Sequence, residues 1–229
     1  MREHPILFSA PMVRAILYGH KTQTRRMSGL EKVNVEPSSW EIRCGPTIVD
    51  ADGRLWAEMR QKSDPSKTLL VRCPYGPVGT RLWVREAWQL VCVRPNKSVE
   101  VYQRWRSIDD AILDCCWRVA YRATERLGFD KLVPWWRSPI HLPRRLSRMV
   151  REVTDIRLER VTDISTSDAL AEGMAMFEMG LGPGYYLPGH SNPAACPDTA
   201  YGILWDQIHG PGAWRRNPWV WVVEFRRAE

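Results

Sequence analysis

The first clear period along the chain is helical. Met12, Ala15, Ile16 and Gly19 recur at three- and four-residue spacing, the mark of one buried helix face. Ser9 stands ahead of them as a cap, and Pro11 falls in the first turn, where an amide has no intrahelical partner to lose. Gly19 fits the position past a helix end, where a left-handed backbone is needed. Pro5-Ile6-Leu7-Phe8 before the helix predicts a strand or extended segment.

After this helix the patterns are mostly those of strands. Thr47-Ile48-Val49 and Leu55-Trp56-Ala57 flank the turn residues Asp50-Ala51-Asp52-Gly53, which predicts a hairpin, and residues 62–67 read as an exposed loop. Turn chemistry in Cys73-Pro74-Tyr75-Gly76 leads into a strand over residues 81–88. There Leu82, Val84 and Glu86 would share one face, and Trp83, Arg85 and Ala87 the other. Residues 108–113 have helical character, and residues 117–122 alternate as a strand does. Pro139 and Pro143 exclude a helix through residues 135–143. Alternation in residues 149–161 slips near Thr154-Asp155, which predicts a bulged strand. Ser165-Thr166-Ser167-Asp168 resembles a capping box with aspartate for glutamate, opening a short helix to Glu172 that stops at Gly173. Glycines and prolines over residues 177–198 predict a loop that can act as a lid. Asp198 is the expected cap of a last helix through Leu204, Trp205 and Ile208, ending near His209-Gly210. Trp219, Trp221, Val223 and Phe225 then line one face of a closing strand.

Composition narrows the partners. The chain has 229 residues, suited to one large domain, and a 44% hydrophobic share suffices for a core. A net charge of +7 suits a polyanionic partner. Arg144, Arg145, Arg148, Arg151, Arg157 and Arg160 suit phosphates and base edges, or form an ordinary solvated face. Most of the twelve tryptophans belong in a core, and a few exposed ones would stack on bases. The six cysteines include no C-x-x-C pair, and no histidine pair has zinc-ligand spacing, so no metal or organic cofactor is implied. Reduced thiols, with neither an apolar leader nor a membrane-length apolar run, lead to the expectation of a cytoplasmic protein without a membrane partner.

The densest chemistry lies in Gly19-His20-Lys21-Thr22-Gln23-Thr24-Arg25-Arg26. These residues leave a buried helix as a cationic, hydroxyl-bearing segment, fit to hold a small anionic or heteroaromatic ligand. Solvated side chains favouring the helix C-terminus are the plain alternative. Gly19, Lys21, Thr24 and Arg26 spell G-x-K-x-x-T-x-R, which resembles the signature of the ASCH domain family, whose fold is similar to the PUA RNA-binding barrel. Pro5-Ile6-Leu7-Phe8, Cys73-Pro74-Tyr75-Gly76, Leu82-Trp83-Val84-Arg85-Glu86 and Asn217-Pro218-Trp219-Val220-Trp221 resemble the larger phage- or prophage-encoded members.

That resemblance implies an α+β fold: a single ASCH or PUA-like β-barrel with short flanking helices, and insertions at about residues 30–72, 95–116 and 177–198. It also implies a catalytic triad. In the small members that deacylate N4-acetylcytidine, a lysine and a threonine of this motif act with a later glutamate, which correspond here to Lys21, Thr24 and Glu172. A threonine hydroxyl needs a base to take its proton. Lysine serves as that base when burial or neighbouring positive charge, here Arg25 and Arg26, lowers its pKa. Glu172, at the negative end of a short helix, would hold a proton and act as general acid or position water. Arg26 is the candidate for the oxyanion or a phosphate. Arg85, Glu86 and His141 complete the candidate substrate-binding set, with strand-end charges and a packing histidine as the plainer readings.

The spacing of the motif sets one geometric obstacle. Lys21 and Thr24 point to opposite faces of a regular strand, so the backbone after Gly19 must be irregular for them to converge with Glu172. The competing functions are a PUA-like module that binds RNA or a modified base without chemistry, and a ribonuclease. The expected partner is a nucleoside or RNA.

Overall fold

The computed structural model describes residues 3–93, 99–101, 117–125, 132–133, 135–179, 182–188 and 193–229. The fold is α+β. The N-terminal elements are β1 (Glu3–Leu7), α1 (Ala10–Leu17) and β2 (Gln23–Arg26). Then come β3 (Trp40–Val49), β4 (Leu55–Gln61), β5 (Thr68–Cys73), β6 (Arg81–Arg85), β7 (Trp88–Val93), β8 (Val99–Val101) and β9 (Trp117–Tyr121). The C-terminal part holds β10 (Val150–Arg160), α2 (Thr166–Ala171), β11 (Ala175–Met179), β12 (Gly182–Tyr186), α3 (Pro197–His209) and β13 (Trp219–Arg227).

The largest sheet has the order β1-β6-β10-β13-β2. Its end strands are β1 and β2, and no pairing between them closes it among the described residues. Smaller sheets have the orders β3-β4-β5, β8-β7-β9 and β11-β12. The chain resolves into two compact units, one of residues 1–4, 15–82 and 150–229, the other of residues 5–14 and 83–149.

In the first unit, β10 and β13 pair antiparallel, with the expected bulge between Val153 and Asp155. Trp221, Val222 and Val223 are fully buried, so β13 has both faces covered and reads as a continuous apolar run. The β3–β4 hairpin forms around Asp50, whose carboxylate accepts from the Arg54 amide at 2.8 Å and the Trp56 indole at 2.9 Å. In the second unit, β7 is likewise covered on both faces. Leu90 packs with Trp88 and Leu142, and Val91 with Ala120 and Val133.

Four expectations need correction or lie elsewhere. The segment 177–198 is not a plain loop, because β11 and β12 pair as a hairpin from Ala175↔Tyr186 to Met179↔Gly182. Phe177 and Tyr186 stack edge to face at 5.1 Å across it, packing that the surrounding glycines and Pro183 mask. Helix α3 is capped at Cys196 with Pro197 in its first turn, and Asp198 lies inside that turn. Strand β6 ends at Arg85 and β7 starts at Trp88, so Glu86 belongs to the link between them and not to a strand face. The helical character expected for residues 108–113 lies outside the described residues.

Candidate functional site

Two chain ends meet at Lys21. At the end of α1, Gly19 takes φ +78°, and the amides of His20 and Lys21 both reach the Ala15 carbonyl, at 2.9 and 3.0 Å. The chain turns out of the helix there instead of passing straight into a strand. Lys21 forms a single β-bridge with Glu172, and the Thr22 amide donates to the Ala171 carbonyl at 2.9 Å. Regular pairing begins only afterwards, with β2 against β13 from Gln23↔Glu224 to Arg26↔Trp221.

The other end is α2. Ser165 Oγ accepts from the Asp168 amide at 3.1 Å, the cap read from the sequence, and Glu172 closes the helix. Gly173 follows at φ +100°. A Cβ there would stand 3.1 Å from the Ala15 Cβ and 3.3 Å from the Lys21 Cβ, so this close approach requires glycine.

The result is a buried ion pair. Lys21 Nζ donates to Glu172 Oε2 at 2.5 Å and to the Glu172 carbonyl at 2.8 Å. Lys21 is 2% exposed and Glu172 3%. The Tyr201 hydroxyl of α3 donates to Glu172 Oε1 at 3.4 Å. Arg25 Nη1 stands 3.6 Å from that same oxygen, and Arg25 Nη2 binds Asp168 at 2.9 Å and Glu159 at 3.1 Å. Arg157 ties the other side of the cluster together, binding Asp168 at 2.9 Å, Glu159 at 2.5 Å, and Glu224.

The electrostatics follow from burial and these partners. Burial lowers the Lys21 pKa below the usual lysine value; Glu172 opposes the shift, and Arg26 and Arg25 reinforce it. Burial pushes the Tyr201 phenol well up, and the Glu172 charge adds to this. Burial alone would raise Asp168, but the hydrogen bond and charge of Arg25, with those of Arg157, hold it below the usual carboxylate range. Chemically, the pair is an amine that gives up its proton more readily than a free lysine, held against a fixed carboxylate.

The remaining expected residues divide. Thr24 is buried in β2 opposite Val223. Alternation along β2 places Thr24 and Arg26 on one face and Gln23 and Arg25 on the other. Arg26 lines a concavity of about 410 Å³ with Met27, Ser28, Glu31, Asn34 and His209. Arg85, Glu86 and His141 lie in the second unit. There Glu86 forms a two-pronged ion pair with Arg148, at 2.8 and 2.9 Å, and Arg148 stacks over Tyr121 at 4.2 Å. Arg85 lies over the Trp83 ring at 4.4 Å. His141 is exposed in a 3-10 turn, Pro139–His141.

Sequence reasoning named Arg25 only as a charge beside Lys21, and it passed over Tyr201. Arg25 had a usable signal, because Lys21, Gln23 and Arg25 recur every second residue. Tyr201 had none, since only the docking of α3 brings it to Glu172. Among the described residues, no group of three His, Cys, Asp or Glu side chains is placed to hold a metal ion, and no helix is long and apolar enough to cross a membrane. No family model, no curated protein and no solved structure matches the chain.

Proposed function

We propose that this protein is a hydrolase with a PUA-like fold of the ASCH type, cleaving the amide of an N4-acylated cytidine or a related modified nucleobase. The observation that carries the reading is the buried contact between Lys21 and Glu172, 2.5 Å apart although 151 residues separate them in the chain. An enclosed lysine with a lowered pKa is the kind of base a threonine nucleophile needs.

In this reading substrate binding first brings the Thr24 hydroxyl, which β2 turns to the face opposite Arg25, to neutral Lys21; Lys21 takes its proton, and the alkoxide oxygen bonds to the acyl carbon. Arg26 shares the Thr24 face of β2 and stabilises the oxyanion. The carbon–nitrogen bond breaks, and the Lys21 proton passes to the exocyclic amine as it leaves. Water then attacks the threonyl ester, giving its proton to Lys21, and the carboxylic acid departs as Thr24 Oγ1 regains a proton. Glu172 positions Lys21 and stabilises its ammonium form. Lys21 is 2% exposed, so substrate binding has to part the side chains that cover it.

The test is incubation of the purified protein with N4-acetylcytidine, following cytidine and acetate by chromatography. Turnover that Lys21→Ala abolishes supports the reading; absence of turnover overturns it. A second reading, recognition of RNA or a modified base without chemistry, draws on the concavity at Arg26, whose lining does not include Lys21 or Glu172. Retained RNA binding with no turnover would favour that module, and cleavage of a labelled RNA would favour a ribonuclease.

A further inference from the structure

The concavity beside Arg26 continues into a second one. The two have volumes of about 410 and 380 Å³ and share Met27, Asn34 and His209. Either is within the size range of small-ligand pockets. Arg26 stands on the first and Arg216 on the second. The charged or titratable groups around them are Arg26, Glu31, His209 and Arg216, so cations prevail.

The walls are fixed. The Asn34 side chain is spent on the backbone of Trp219, donating to its carbonyl at 2.9 Å and accepting from its amide at 2.7 Å. His209 rests on the buried Trp205 ring with centroids 4.2 Å apart, which holds the imidazole in place. The His209 ring nitrogens make no hydrogen bond, and Arg216 makes no ion pair, among the described residues. Glu31 accepts from the Gly29 amide at 2.9 Å through one oxygen, leaving the other able to accept from an exocyclic amine.

We infer that this double concavity binds a nucleoside monophosphate, with Arg216 taking the phosphate and His209 and Glu31 facing the base. Guanidinium forks match phosphate oxygens two at a time, which a neutral ligand cannot exploit. The imidazole, whose pKa burial and then Arg26 lower, is neutral at pH 7 and offers one donor and one acceptor to a base edge. The inference rests on the proposed hydrolase for the choice of nucleobase, and makes its substrate a nucleotide instead of a free nucleoside.

The test is calorimetric titration of the whole chain with cytidine 5′-monophosphate, cytidine and inorganic phosphate. The monophosphate is expected to bind at least about ten-fold more tightly than cytidine, a gap of about 1.4 kcal/mol. Arg216→Ala is expected to close that gap while leaving cytidine binding unchanged. Equal binding of nucleotide and nucleoside overturns the inference, as does a gap that survives Arg216→Ala. Tighter binding of a short oligocytidylate than of the monomer overturns it in favour of an RNA ligand. The hydrolase reading fails separately: a phosphate preference without deacylation removes that reading and keeps this site, and deacylation without a phosphate preference does the reverse.

Discussion

Arg25 stands 3.6 Å from the Glu172 carboxylate, while Thr24, its neighbour in the chain, is turned to the other face of β2. The Arg25 side chain is wholly enclosed and also serves Asp168 and Glu159. One cation therefore neutralises part of three carboxylates, and Lys21 and Arg157 share the rest. Arg25→Met leaves those carboxylates under-compensated. A loss of about 3–5 kcal/mol, the usual result of removing one partner of a buried pair, is expected in urea unfolding. The same change removes a positive neighbour from Lys21, so the lysine pKa rises. If Lys21 is the catalytic base, the alkaline-rising limb of kcat/KM moves to higher pH in Arg25→Met.

The Lys21–Glu172 pair is open to a double-mutant cycle. Glu172→Gln leaves a buried ammonium without its carboxylate and is expected to cost about 3–5 kcal/mol near neutral pH. The loss shrinks as pH rises, because Lys21, freed from the raising effect of Glu172, sheds its proton at a still lower pH. Lys21→Met is milder, since Glu172 keeps Arg25 and Tyr201 beside it. The double variant Lys21→Met/Glu172→Gln recovers stability relative to the sum of the singles, with a coupling of about 1–3 kcal/mol. Urea unfolding of the four proteins measures it; additive losses would show that the two groups act independently.

The parts legible in the sequence are those that local chemistry decides. Ala15 and Ile16 of the α1 stripe, the left-handed Gly19, the Ser165 cap and the bulge at Val153–Asp155 each rest on residues within a few positions of one another, whereas Met12 is half-buried, Gly19 is exposed and Val13 is fully buried beside the stripe. The rest depends on distant chain. Which face Arg25 occupies is set by the register of β2 on β13, which alternation alone leaves undefined. Glu86 finds Arg148 across 62 residues, a contact with no sequence pattern behind it. The β11–β12 hairpin holds through Phe177 and Tyr186 although Gly182, Pro183 and Gly184 have little strand preference of their own. The open order of the main sheet also lies beyond anything the strand patterns specify.

Gly173 tests the approach of α2 to the turn after α1. Its φ of +100° disfavours any side chain, and a Cβ would crowd Ala15 and Lys21. Gly173→Ala is expected to lose about 1–3 kcal/mol from backbone strain, before any cost of moving Lys21. Gly45→Ala is the control, because its Cβ meets nothing within 4 Å. Thermal unfolding should separate the two variants clearly. A Gly173→Ala protein as stable as Gly45→Ala would mean the backbone there relaxes freely.

Cys73 gives a pH dependence with a defined window. Burial pushes its thiol from 9.0 up to about 12. Between those values the unfolded chain has lost a proton that the folded chain still holds. Folding therefore binds more protons, and its stability falls as pH rises. The contribution is fully present below pH 9 and disappears as pH passes through about 12. Lys21 runs the other way: its folded pKa lies below 10.5, so its contribution to stability grows as pH climbs from that lowered value towards 10.5. Tyr201, raised well above 10.0, adds to the alkaline loss from about pH 10 upward. Wild type and Cys73→Ala share the latter two groups, so their difference isolates the thiol. Their stability gap, measured by urea unfolding at a series of pH values, is expected to stay constant below pH 9 and then shift steadily in favour of Cys73→Ala. A gap that stays flat to pH 11 would mean the thiol ionises as readily in the folded protein as in the unfolded chain.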